Sequence, residues 1–155
     1  MPYTKKPYTN NPNTVTFPTA SKGAEKLAEV RWEPGTHDTL CGFPEGPRGN
    51  LGYYLYLVQK GELPPSSSPV PGIPDVFELR DEDERAWYRI IHLKRANNRI
   101  YVLHCFEKQS NQIEKRDVRT IQSRLSRLNQ RLTEEKKNAK RETRKRTRND
   151  GERTR

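Results

Sequence analysis

The stretch Ala86 to Phe106, AWYRIIHLKRANNRIYVLHCF, decides how this chain folds. It holds two runs rich in aromatic and β-branched residues, Ala86 to Leu93 and Arg99 to Phe106, a composition that suits half-buried central strands. Ala96-Asn97-Asn98 lies between them, and asparagine tolerates the left-handed backbone that a tight hairpin requires. The two runs are therefore read as a β-hairpin. Upstream, Val76, Phe77 and Leu79 form a further apolar run broken by Glu78, and Asp81-Glu82-Asp83-Glu84 reads as a solvated turn that brings this third strand back to the hairpin.

Helical patterns flank these strands. Val118, Ile121, Leu125, Leu128 and Leu132 are spaced 3, 4, 3 and 4, so Glu114 to Leu132 predicts a helix with one apolar stripe, which either covers the sheet or meets a partner helix. Leu51, Leu55 and Val58 predict a second helix from Arg48 to Lys60. Gly61 stands where a C′ glycine belongs, and Pro64-Pro65 follow. Residues 25–32 fit a strand or a short helix, ended by Pro34-Gly35, and His37 to Phe43 fit a short helix or turn. Residues 62–74, with five prolines and three consecutive serines, read as a loop. The order predicts an α/β protein of the α+β kind, with a small, mostly antiparallel sheet packed by helices.

Composition bounds that domain. Only 30% of the 155 residues are hydrophobic while 32% are charged, against roughly 45–50% and about 25% in ordinary globular domains. One modest core at residues 25–132 is expected, with a disordered extension at 1–24 and a basic flexible tail or frayed helix extension at 133–155. No apolar stretch approaches the ~20 residues of a membrane span, and the N-terminus lacks the apolar region of a secretory signal. A cytoplasmic location with reduced thiols at Cys41 and Cys105 follows. The net charge of +10 is uneven. Residues 1–93 carry 10 basic and 12 acidic side chains, residues 94–132 carry 10 and 3, and residues 133–155 carry 10 and 5. Such a localised surplus is the footprint of a polyanionic partner. Within it, Arg124, Arg127 and Arg131 form a stripe, either a solvated face or a ridge that tracks phosphates.

No spacing of His or Cys suits a metal, and no phosphate-binding glycine loop or nucleophile elbow is present. Neither metal nor cofactor is expected. His104 and Cys105 are strand neighbours, so their side chains take opposite faces. What remains is a basic and aromatic group on the hairpin and its exit: Tyr88, Arg89, Tyr101, Lys108, Lys115 and Arg116. Arg89 interrupts an apolar run, either to pair with the acidic turn at 81–84 or to serve a site. These residue types suit metal-independent RNA cleavage. The 2′-OH attacks in line, one group accepts its proton, another protonates the leaving 5′-oxygen, and cations stabilise the phosphorane. Arginine offers a bidentate fork, a partly desolvated lysine offers a base, and tyrosine rings stack on splayed bases.

The segment YRIIHLKRANNRIYVLHCFEKQSNQIEKRDVRTIQSRL resembles the RelE/HigB toxin superfamily, particularly its phage-derived branch. The features are Arg89 in the penultimate strand, Tyr101-Val102-Leu103-His104-Cys105-Phe106 followed by Lys108 and Ser110, then Asp117 and Arg124. The likeness spans roughly residues 27–132. It implies a RelE-like fold and the toxin of a type II toxin–antitoxin system, a ribosome-dependent mRNA endoribonuclease that inhibits translation and is neutralised by a helix-turn-helix antitoxin. It further implies that Arg89 and Lys108 contact the scissile phosphate. His104 is a candidate for proton transfer, and Tyr88, Tyr101, Lys115, Arg116, Arg119 and Arg124 for RNA docking. Gln109 departs from the pattern, because a second lysine is usual there. That departure and the basic tail fit an alternative, a non-catalytic RNA- or ribosome-binding accessory protein of phage origin on the same scaffold.

Overall fold

The structure, a computed structural model, describes residues 26–94 and 96–153. The extension expected at 1–24 lies outside the described residues. The chain is α+β: a five-stranded sheet in the order β1-β5-β4-β3-β2, packed by helices on both faces. The strands are β1 (Glu29–Trp32), β2 (Ser67–Pro69), β3 (Val76–Glu82), β4 (Trp87–Leu93) and β5 (Arg99–Lys108). The helices are α1 (Thr36–Cys41), α2 (Glu45–Gln59) and α3 (Lys115–Arg153). All pairings are antiparallel except β1 with β5, so the sheet is mixed but mostly antiparallel.

The central hairpin forms where the sequence places it. Asn97 and Asn98 adopt φ of 51° and 59°, and Ala96 and Arg99 exchange backbone hydrogen bonds across the two-residue turn, the primed geometry that matches strand twist. α2 begins three residues earlier than its periodicity suggests. Pro47 sits within its first turn, where a missing N–H costs nothing. Its other end closes as a Schellman motif: Gly61 takes φ 84°, its N–H reaches the carbonyl of Val58, and that of Glu62 reaches Leu57.

Three expectations are corrected. Residues 62–74 are not all loop, because Ser67 to Pro69 pair with Phe77 to Leu79 as an edge strand, where a proline is tolerated. The acidic run is only partly a turn, because Asp81 and Glu82 continue β3, and Asp81 is buried and accepts a hydrogen bond from Asn50 of α2 at 2.9 Å. Of the two forms expected of the tail, the flexible arm gives way to the helix extension, because α3 runs without a break from Lys115 to Arg153. Its distal half is built mostly from Lys, Arg and Glu, all strong helix formers, which sustain a helix that covers no core.

The two faces of the sheet bury separate cores. One joins Tyr88, Ile90, Ile100, Val102 and Cys105 to Leu51 and Leu55 of α2 and to Leu40 and Phe43. The other joins Val76, Ile91, Leu103 and Phe106 to Ile121 and Leu128 of α3. The 118–132 stripe therefore covers the sheet. Burying Ile121 and Leu128, at 0% and 1% exposure, contributes roughly 1.5–3 kcal/mol each.

Candidate functional site

A bulge in β5 decides what faces α3. Ile91 pairs with His104, but His92 pairs with Val102, so Leu103 is an extra residue. One extra residue inverts the in–out alternation beyond it. Before the bulge, Tyr101 and Leu103 face α3. After it, His104, Phe106 and Lys108 do, in register with Ile91, Arg89 and Trp87 of β4. Arg89 and Lys108 thus share one face of adjacent strands.

The first turn of α3 meets His104 and Lys108. Asp117, at the helix N-terminus where a carboxylate is favoured, is 5% exposed. Its Oδ1 lies 3.1 Å from His104 Nε2, and its Oδ2 lies 3.0 Å from Lys108 Nζ. Glu114 Oε2 approaches the same ammonium at 2.8 Å. Two turns further along the helix, Arg124 donates to the carbonyl of Leu103 at 2.7 Å and lies 3.4 Å from His104 Nδ1. The imidazole stacks on Phe106 with centroids 4.8 Å apart.

The electrostatics assign protonation states. Burial holds His104 below the ordinary histidine value, and the Arg124 and Lys108 cations reinforce this against the pull of Asp117. The imidazole is therefore neutral near pH 7. Its Nε2–H donates to Asp117, and its Nδ1 lone pair is left on the Arg124 side. Lys108 is raised by its hydrogen bonds to Glu114 and Asp117, so it is a fixed cation, a point charge and not the desolvated base that lysine chemistry also allows. Burial works against ionised Asp117, but the hydrogen bonds from His104 and Lys108 outweigh it and hold the carboxyl below the usual range.

The other expected residues divide. Arg89 is 1% exposed and is ion-paired with Glu78, which replaces the expected partner in the 81–84 turn. Its other nitrogen donates to the carbonyl and side-chain oxygens of Asn111, so its guanidinium braces the β5–α3 loop instead of facing solvent. Tyr88 departs from its expected stacking role. Its ring is 1% exposed, lies on the α2 face against Phe43, and its hydroxyl donates to Asp83 at 3.0 Å. Tyr101 is half-buried on the opposite face, about seven residues down β5 from Lys108, so the two tyrosines are not brought together. Lys115, Arg116 and Arg119 are exposed on the first turns of α3. Of the arginine stripe, Arg124 is turned into the cluster, Arg131 pairs with Glu33, and Arg127 contacts Ser123.

Asp117 and Glu78 are the two residues whose roles the sequence did not reveal. Glu78 had a readable signal: it interrupts VFEL as Arg89 interrupts WYRII, and two opposite charges in neighbouring interior strands call for each other. Asp117 was marked only as a feature of the resemblance, with no role, because its partner depends on the bulge. Among the described residues, no group of three or more His, Cys, Asp or Glu is arranged to hold a metal, and no helix is long and apolar enough to cross a membrane.

A mostly antiparallel sheet whose last strand delivers a His–Asp–Lys–Arg constellation to the start of a basic helix defines a class of small α+β protein with a polar, cation-rich site at the strand–helix junction. The phage-derived Gp49-like family (DUF891) matches the chain over residues 38–126, more than half of its length, and the chain belongs to that family. The matched span contains Arg89, His104, Lys108, Asp117 and Arg124, and excludes β1 and the distal part of α3. No curated protein matches the chain.

Proposed function

We propose that the protein is a toxin of RelE/HigB type, a metal-independent endoribonuclease that acts in the cytoplasm on mRNA in translating ribosomes and is held in check by a helix-turn-helix antitoxin. The observation that carries this reading is the neutral His104 fixed by Asp117 beside the ammonium of Lys108 and the guanidinium of Arg124. A neutral imidazole next to two cations is what cleavage by the 2′-OH requires. His104 Nδ1 accepts the 2′-OH proton, the O2′–P bond forms as the P–O5′ bond breaks, and the Lys108 ammonium donates to the leaving oxygen. Arg124, whose contact with Nδ1 is long, transfers its fork to the phosphate. The products are a 2′,3′-cyclic phosphate and a 5′-hydroxyl. Arg89 acts in this scheme as a positioning residue through Asn111, and the exposed Lys115, Arg116 and Arg119 hold the RNA.

Induced expression tests the reading. It should arrest growth and leave translated messages cut, with His104→Ala and Lys108→Ala each restoring growth and Arg127→Ala leaving the arrest intact. Continued growth with whole transcripts is the contrary result. A second reading, RNA or ribosome binding without cleavage, is favoured by one observation: Lys108 is already neutralised by two carboxylates and Arg89 by Glu78. It requires RNA retention by the His104→Ala protein with no cut by either form.

A further inference from the structure

The distal half of α3 gathers most of its positive charge on one side. Successive helical residues turn by about 100°. Lys136, Lys140, Arg144 and Arg148 therefore form one row, and Lys137, Arg141 and Lys145 form a second beside it. All seven are exposed, and none forms an ion pair among the described residues. Glu135, Glu142 and Asp150 fall on the other half of the helix together with Arg146 and Arg153, while Glu134 and Glu152 lie at the two ends of the cationic half. The rows extend for roughly 18 Å at 1.5 Å per residue.

Opposite charges stand four residues apart at Glu142/Arg146, Arg146/Asp150 and Arg148/Glu152, but along the two rows the pattern is not that of a helix that merely stays in solution. Such a helix gains from opposite charges four residues apart and loses from like ones. Here 136/140, 140/144, 144/148, 137/141 and 141/145 are five like-charge neighbours, and each weakens the helix. The repulsion is relieved when a polyanion lies along the rows. The same outward half of α3 carries Lys115, Arg116 and Arg119 at its other end, beside the His104 cluster. Uncharged hydrogen-bonding residues lie between, among them Gln122, Ser126, Asn129 and Thr133, all exposed. The outward ridge therefore leads from the cluster to Arg148, about 50 Å at helical rise.

We infer that the distal part of α3, which lies outside the family match, is a docking arm for the sugar–phosphate backbone of RNA, read by charge and not by base. It does not depend on cleavage at the cluster. Its partner is RNA because the ridge is continuous with the cationic end beside a site that suits ribose-phosphate chemistry, and because it lacks the apolar face a membrane-surface helix needs.

The test measures binding of the full-length protein to a labelled 20-nucleotide RNA of mixed sequence across a salt series. Each phosphate neutralised on a single strand contributes about 0.7 to the slope of log K against log salt. The variant Lys136→Gln, Lys140→Gln, Arg144→Gln, Arg148→Gln keeps good helix formers and should lower the slope by about 3. The variant Lys136→Arg, Lys140→Arg should keep the slope unchanged. His104→Ala should also leave the slope intact, so loss of cleavage and loss of docking are read separately. A slope that survives the four glutamines overturns the inference, as does binding to phosphatidylserine vesicles that exceeds binding to RNA at the same salt.

Discussion

Removing the Glu78 carboxylate should be among the most damaging single changes in this protein. Glu78 is a hub on the α3 face of β3. It accepts a hydrogen bond from Ser68 at 3.0 Å, it pairs with Arg89, and Arg80 lies 3.7 Å away. Arg89 is 1% exposed, so in Glu78→Ala its guanidinium stays buried with only the oxygens of Asn111 for company. Breaking a buried ion pair from one side costs about 3–5 kcal/mol. Total stability is on the order of 5–15 kcal/mol, so about a fifth of it or more is at stake. At roughly 2–4 °C per kcal/mol for a chain of this length, the melting temperature should fall by at least ~6 °C. The pair replaced together, Glu78→Leu with Arg89→Met, removes both charges and should stand near the parent or above it, because the desolvation cost disappears with the attraction. Far-UV circular dichroism melts and guanidinium titrations of the two singles and the double close the cycle. A Glu78→Ala protein within ~0.5 kcal/mol of the parent, or a double as unstable as the sum of the singles, would refute the idea that Arg89 is a structural brace.

His92, buried, and His104, half-buried, make the fold sensitive to acid. Burial lowers both His92 and His104 below the ordinary value, so the unfolded chain binds more protons as pH drops through about 6.5, and stability must fall there. Urea midpoints at pH 8 and pH 5.5 should differ for the parent, and His92→Phe, which keeps a ring against Phe77, should shrink the difference; an unchanged difference contradicts the assignment. Cys105 is buried, its thiol pushed up to about 12 by desolvation, whereas Cys41 is exposed. Iodoacetamide on the native protein should label one thiol, and Cys41→Ser should leave none until urea is added. Asn97 holds φ 51° in the hairpin, so Asn97→Val should cost roughly 1–2 kcal/mol and Asn97→Gly little, as chemical denaturation will show.

The parts of this fold that were legible in the sequence are those set locally. The Asn97-Asn98 turn needs only a backbone that tolerates positive φ. The Gly61 cap needs only the end of an apolar period. The 118–132 stripe announces a helix with a covered face. The parts that were not legible depend on partners. Ser67 to Pro69 have no strand character of their own and become a strand because β3 offers an edge. The bulge at Leu103 has no sequence mark, yet it alone puts His104 and Lys108 on the α3 face with Asp117. Arg89 was visible as an anomaly, but which side of the anomaly it served depended on Glu78, whose own break in an apolar run was the matching half. The distal helix carries no Leu, Ile, Val or aromatic residue to read, and only the summed propensity of its residues holds it.

The most direct measurement of the central claim uses purified protein, ribosomes programmed with a 5′-labelled message, and a chelator throughout. The account predicts a cut that leaves a 2′,3′-cyclic phosphate, lost in His104→Ala and in Lys108→Ala while both variants keep the parent's circular dichroism spectrum. An intact message with the parent protein, or the same cut with either variant, would contradict it.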